Sequence, residues 1–113
     1  MPYQPNREEL AWAAGFFDGE GCTTYHLGKH QRKYPRLRVS QSGNNGNELL
    51  ERFKNAIGFG IVYGPYKIAK NQTKIRWVFQ VTGFEKVQAT ISLLWDWLGT
   101  EKRNQAVKIL KGE

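Results

Sequence analysis

The chain has 113 residues, with 17 Lys and Arg against 10 Asp and Glu and a net charge of +7. That length supports one domain with a real core but not two, the charge favours a polyanionic partner, and no run is long and apolar enough to span a bilayer. A single cysteine, Cys22, excludes an intrachain disulfide and a cysteine-rich zinc site, and the start lacks a signal peptide's apolar core, so the expected location is intracellular: cytoplasm, nucleus or organelle matrix.

Asn6, with Glu9 three residues later, predicts a capping box that starts a first helix. Leu10, Ala13, Ala14 and Phe17 recur at helical spacing, and the helix runs to about Asp18. The small Ala13, Ala14 and Gly15 would let a second helix approach its backbone closely, as in other small-residue seams. Asp18 and Glu20 follow, with Gly19 and Gly21 placed to stop the helix and allow a turn. A carboxylate at a helix C-terminus adds to the partial negative charge already there and costs energy unless a cation joins it. The plain alternative is a buried helix followed by a solvated acidic turn.

Next, Thr23, Tyr25 and Leu27 alternate with Thr24 and His26, a strand with one apolar and one polar face. Gly28–Lys33 is a polar, basic loop, and from Pro35 onward Leu37 and Val39 alternate with Arg36, Arg38 and Ser40, giving a hairpin with a basic tip. Ser42–Asn47 is turn chemistry. Leu49, Leu50, Phe53, Ala56 and Ile57 form a second helical stripe, ended by Gly58. Ile61, Val62 and Tyr63 lie in a third strand, and Ile75, Trp77, Phe79 and Val81 alternate with Lys74, Arg76, Val78 and Gln80 in a fourth, with a basic connection holding Lys67 and Lys70. Thr82 with Glu85 predicts a capping box for a third helix carrying Val87, Ile91, Leu94 and Leu98, closed by Gly99; Thr100 caps a last helix with Ala106, Ile109 and Leu110 on one side.

The order predicts a single α+β domain over residues 1–113, αββαββαα, in which a four-stranded antiparallel sheet carries helices on one face. The other face would present Thr24, His26, Arg36, Arg38, Lys74, Arg76 and Gln80, with Lys29, Arg32, Lys33, Lys67 and Lys70 in the loops. Residues 21–47 and 52–84 contain no Asp or Glu at all. That segregation favours a DNA groove, where strands read base edges, over a merely solvated sheet.

The string Ala13-Ala14-Gly15-Phe16-Phe17-Asp18-Gly19-Glu20-Gly21 resembles the nine-residue motif that names the LAGLIDADG homing endonucleases. Gly15, Asp18 and Gly21 match it outright, Phe16 and Phe17 fill its apolar positions, Glu20 replaces its second Asp, and Ala13 stands where Leu is usual. The element order is also that of the family's fold, so the resemblance extends from about residue 7 to residue 110. Arg38-Val39-Ser40-Gln41 resembles the strand end where the family keeps a polar residue near the cleavage site, and Glu101–Ala106 resembles its lysine-plus-Gln-Ala segment, with Lys102 at the position of the active-site lysine.

The resemblance implies a metal-dependent DNA endonuclease. Glu20, with the Gly19 carbonyl, would hold Mg²⁺ or another divalent cation against the scissile phosphate, Gln41 would orient a water, and Lys102 would stabilise the phosphate or perturb a water's pKa. Asp18 would help close the helix end. One motif per chain implies a homodimer, its interface formed by Ala13, Ala14, Gly15, Phe16 and Asp18, acting on a long pseudo-palindromic double-stranded DNA site and leaving short 3′ overhangs. The alternative on the same fold is a non-cleaving nucleic-acid-binding protein: an intron-splicing maturase that holds RNA, or a DNA-binding regulator.

Overall fold

In the computed structural model, which describes residues 2–67 and 74–113, the expected elements occur in the expected order. Helix α1 (Arg7–Glu20) begins at Asn6, whose side-chain oxygen accepts a hydrogen bond from the Glu9 N–H at 3.0 Å. Glu9 does not complete the box. Its carboxylate instead accepts two hydrogen bonds from Arg52, at 3.0 and 2.8 Å, and the Arg52 guanidinium lies 3.8 Å from the centre of the Trp12 ring. The helix runs two residues past its expected end, and strand β1 (Gly21–Leu27) follows with no intervening loop.

Strand β2 (Lys33–Ser42) returns after a short 3-10 turn at Lys29–Gln31. Helix α2 (Gly46–Ile57) stops on Gly58 at φ 97°, the left-handed conformation that glycine adopts without steric cost. Strands β3 (Ile61–Lys67) and β4 (Ile75–Thr82), helix α3 (Phe84–Leu94), a short turn at Trp95–Trp97 and helix α4 (Thr100–Leu110) complete the order. Lys70 lies outside the described residues.

Among the described residues the strands form one antiparallel sheet in the order β1-β2-β4-β3. Leu37, Val39, Phe79 and Val81 point from the two central strands toward the helices and are buried. Phe53 of α2 packs edge-on against Phe79, with ring centres 4.9 Å apart, and lies 6.4 Å from the Phe17 ring of α1. Fully burying a side chain of this size contributes roughly 1.5–3 kcal/mol. Val87, Ile91 and Leu94 of α3, with Leu98 and Ala106, close the same core.

Three local expectations are not met. Helix α3 starts after Gly83 with no side-chain cap from Thr82, whose hydroxyl accepts from Gln80 Nε2 at 3.4 Å. Helix α4 has no cap from Thr100; the carboxylate of Asp18 reaches the N–H of Gly99 instead, at 3.1 and 3.0 Å. Leu49 of the α2 stripe is exposed, while Leu50, Phe53, Ala56 and Ile57 are buried.

The β3–β4 hairpin carries a bulge. Tyr63 faces Val78 and Tyr66 faces Arg76, so Gly64 and Pro65 together oppose Trp77 alone. Gly64 sits at φ 132°, and a Cβ there would come within 2.9 Å of the Arg76 carbonyl oxygen, so the position demands glycine.

Candidate active site and nucleic-acid interface

The end of α1 and the start of β1 are laced to α4 rung by rung. Asp18 accepts from the Gly99 N–H. Lys102 Nζ donates to the Gly21 carbonyl at 2.6 Å. The Thr23 N–H donates to Gln105 Oε1 at 3.0 Å, and the Tyr25 hydroxyl donates to the Ile109 carbonyl at 2.9 Å. Positions 102, 105 and 109 follow one another on one helical face, as spacings of three and four require. Lys102 therefore brings a positive charge to the carbonyl end of α1, where the helix dipole and the acids need one. Gln105 and Tyr25 are contributors to this lattice that residue patterns alone did not single out, although Gln105 belongs to the Gln-Ala pair.

Glu20 and Gly19 are exposed at this junction, and a Cβ on Gly19 would meet nothing within 4 Å. Gly21 pairs with Val39, so Gln41 stands two residues further along β2 at the same end of the sheet. Gln41 is half-buried on the helix side, across from Trp77, and its Nε2 donates to the Ser40 carbonyl at 2.9 Å, leaving Oε1 to accept from elsewhere. The structure thus gathers Glu20, Gly19, Lys102 and Gln41 at one end of the sheet. Among the described residues no three His, Cys, Asp or Glu side chains cluster as a metal site.

The register fixes the open face of the sheet. Thr24 lies opposite Arg36, which lies opposite Thr82; Cys22 lies opposite Arg38, which lies opposite Gln80; Ser42 lies opposite Arg76. All these side chains point away from the core strands' apolar residues, as alternation dictates. Arg36 Nη1 is 3.1 Å from His26 Nδ1. A guanidinium can only donate, so Nδ1 accepts and the ring proton sits on Nε2. Arg36 and Arg38 are half-buried, and their Nε–H groups find no partner among the described residues. Lys29 and Arg32 are exposed at the hairpin tip, and Lys67 and Lys74 flank the second hairpin. Lys33 is set apart from them: its ammonium lies 5.4 Å from the centre of the Tyr25 ring, on the helix side. The open face also holds Ile61, Tyr63 and Tyr66, which the short third strand expected from sequence did not place there.

Helix α1 corrects the expected seam. Ala13 and Ala14 are fully buried in the chain's own core, because they share the phase of Leu10 and Phe17. Gly15 and Gly19 are exposed with nothing within 4 Å of either added Cβ, and Ala11 and Trp12 are half-exposed on the same side. The open small-residue line is Ala11, Gly15 and Gly19, spaced by four, with Phe16 beside it half-buried against Trp12, ring centres 5.1 Å apart.

The domain joins a cationic, acid-free sheet face to an exposed carboxylate at the end of a glycine-lined helix. Residues 13–110 match the family model described as LAGLIDADG endonuclease, and the chain belongs to that family. Its structure is similar to that of the homing endonuclease I-CvuI in complex with its target in the presence of Ca, with a TM-score of 0.73 and 26% identity over 94% of this chain and 68% of that one. The complex of I-CvuI with another target in the presence of Mg, in which the DNA is not cleaved, gives 0.72 and 26% over 93% and 65%. The group I intron-encoded homing endonuclease I-CeuI complexed with DNA shares the fold, with a TM-score of 0.73 and 18% identity over 96% of this chain and 55% of that one. The chain thus spans about two thirds or less of these proteins' length. No curated protein sequence matches it, and among the described residues no helix is long and apolar enough to cross a membrane.

Proposed function

We propose that this chain is a site-specific DNA endonuclease that acts as a homodimer, hydrolysing both strands of a long pseudo-palindromic site to leave short 3′ overhangs. The observation that carries the reading is the α1–β1 junction: exposed Glu20 precedes Gly21, whose carbonyl accepts from Lys102 Nζ at 2.6 Å, at the end of the cationic sheet face. A carboxylate there raises the charge of a helix C-terminus, a cost that has a purpose if a cation and a phosphate are to meet it.

The donors at the junction suit Mg²⁺, which takes one or two carboxylates and fills its other positions with waters and phosphate oxygens. Glu20 and the Gly19 carbonyl would hold such an ion, which would supply an activated water and neutralise charge on the phosphate. Lys102 adds a fixed positive charge beside the phosphate, and the free Oε1 of Gln41 accepts from a water and so orients it. Arg36, Arg38, Arg76 and Gln80 face the major groove, where arginine forks match guanine and glutamine matches adenine. Lys29, Arg32, Lys67 and Lys74 grip phosphates and set the register. One chain offers one such acid, so a second copy supplies the acid for the other strand. Ala11, Gly15 and Gly19 let the two α1 helices approach about a two-fold axis, with one Glu20 on each side.

The test is a cleavage selection in Mg²⁺ on a randomised plasmid library, wild type beside Glu20→Gln. The expected result is a shared pseudo-palindromic cut site for the wild type and none for the variant, which still binds that site. If neither protein cuts and both retain DNA, the chain is a binding protein on this fold, a maturase or a regulator.

A further inference from the structure

The sheet register brings together a group of side chains that the proposed guanine and phosphate contacts do not use. Ile61 lies opposite Gln80, Tyr63 opposite Val78 and Tyr66 opposite Arg76, all on the open face. In a regular strand, residues three apart point to opposite sides; the bulge at Gly64 and Pro65 returns Tyr66 to the side of Tyr63. Ile61, Tyr63 and Tyr66 are 53%, 37% and 46% exposed. Val78 is 1% exposed on this face and stands outside the core cluster. Large apolar groups side by side on a surface otherwise lined by Arg38, Arg76 and Gln80 fit a partner that is anionic at its rim and apolar at points within. The DNA major groove has one apolar feature, the C5-methyl of thymine.

We infer that this tract reads thymine methyl groups, so that the part of each half-site under the β3–β4 hairpin is rich in A·T pairs, while guanines are selected where Arg36 and Arg38 face the groove. The inference rests on the DNA-binding reading above and adds the chemical character of the target. Two strand residues advance about 6.6 Å, close to two base-pair steps of ~3.4 Å. The rows of Ile61, Tyr63 and Tyr66 therefore cover about five base pairs.

Duplexes bound by the full chain are selected from a random pool without Mg²⁺, so that binding is read rather than cutting. Each thymine of the selected site is then replaced by deoxyuridine, one at a time, and the Kd is measured for wild type, Ile61→Ser and Tyr63→Ser, each checked for fold by circular dichroism. Loss of one methyl contact weakens wild-type binding about fourfold. The expected result is such losses at two or more neighbouring thymines, absent in one or both serine variants, with other thymines indifferent. Selected sites with no thymine coupled to Ile61 or Tyr63, or losses that persist unchanged in both variants, overturn the inference while leaving DNA binding intact. Failure to select any sequence overturns the DNA-binding reading, and the inference with it.

Discussion

Replacing Asp18 by Ala removes the acceptor that closes the N-terminus of α4. The carboxylate takes the Gly99 N–H on both oxygens, at 3.1 and 3.0 Å, across 81 residues of sequence. An N-terminal side-chain cap is worth about 0.5–2 kcal/mol. Asp18 also lies in the last turn of α1, where its charge opposes the dipole at a cost of about 0.3–1 kcal/mol. The midpoints of these ranges leave a net loss on truncation of about 0.6 kcal/mol. Unfolding entropy near 2.1 cal/mol/K per residue gives about 0.24 kcal/mol/K for a chain of 113 residues, so Tm should fall by about 2.5 °C. Asp18→Asn keeps an acceptor oxygen and loses the opposed charge, and should cost little or nothing. Thermal unfolding followed by circular dichroism at two protein concentrations reads both variants. An Asp18→Ala Tm within about 1 °C of wild type refutes the cap, and a loss that grows on dilution shows that Asp18 acts between copies instead.

Gly15→Gln should leave the chain folded, since a Cβ there meets nothing within 4 Å; sedimentation should then show a dimer for the wild type and a monomer for the variant, and an unchanged dimer removes α1 from the interface. The two hydrogen bonds from Arg52 hold the Glu9 carboxyl below the usual carboxylate range. A lowered folded pKa adds stability that is complete above the unfolded value of about 4.3 and is lost as pH falls through the folded one. The urea midpoint of wild type should exceed that of Glu9→Gln near neutral pH and converge with it in acid; a gap constant across pH contradicts the pairing. Arg32→Ala at the exposed hairpin tip should weaken DNA binding alike on all sequences and reduce the salt slope by about 1, whereas altered sequence preference would make Arg32 a base reader.

The element order was legible because each helix and strand of this chain repeats its apolar residues with its own period, and Asn6 and Gly58 punctuate as their chemistry requires. Two predicted caps failed for different reasons: the Thr100 hydroxyl is replaced by Asp18, a distant partner that sequence cannot see, while the Thr82 hydroxyl accepts from Gln80 within its own strand. The phase of α1 was ambiguous because alanine and glycine are equally small whether they face the core or a neighbour, and only packing puts Ala13 inward and Gly15 outward. The reach of β3 was hidden by Gly64 and Pro65, which read as a strand end and instead form a bulge. Lys102 could be placed by resemblance, but its bond to the Gly21 carbonyl required the fold.

The ladder between α4 and the α1–β1 junction also has a temporal meaning. Synthesis delivers the acidic motif first and Lys102 some 81 residues later, by the sequence separation of its bond to Gly21. A nascent or prematurely terminated product that stops before α4 carries Glu20 without the ammonium that binds the Gly21 carbonyl and leaves Asp18 without the Gly99 N–H. Assembly of the junction therefore reports that translation has passed α4.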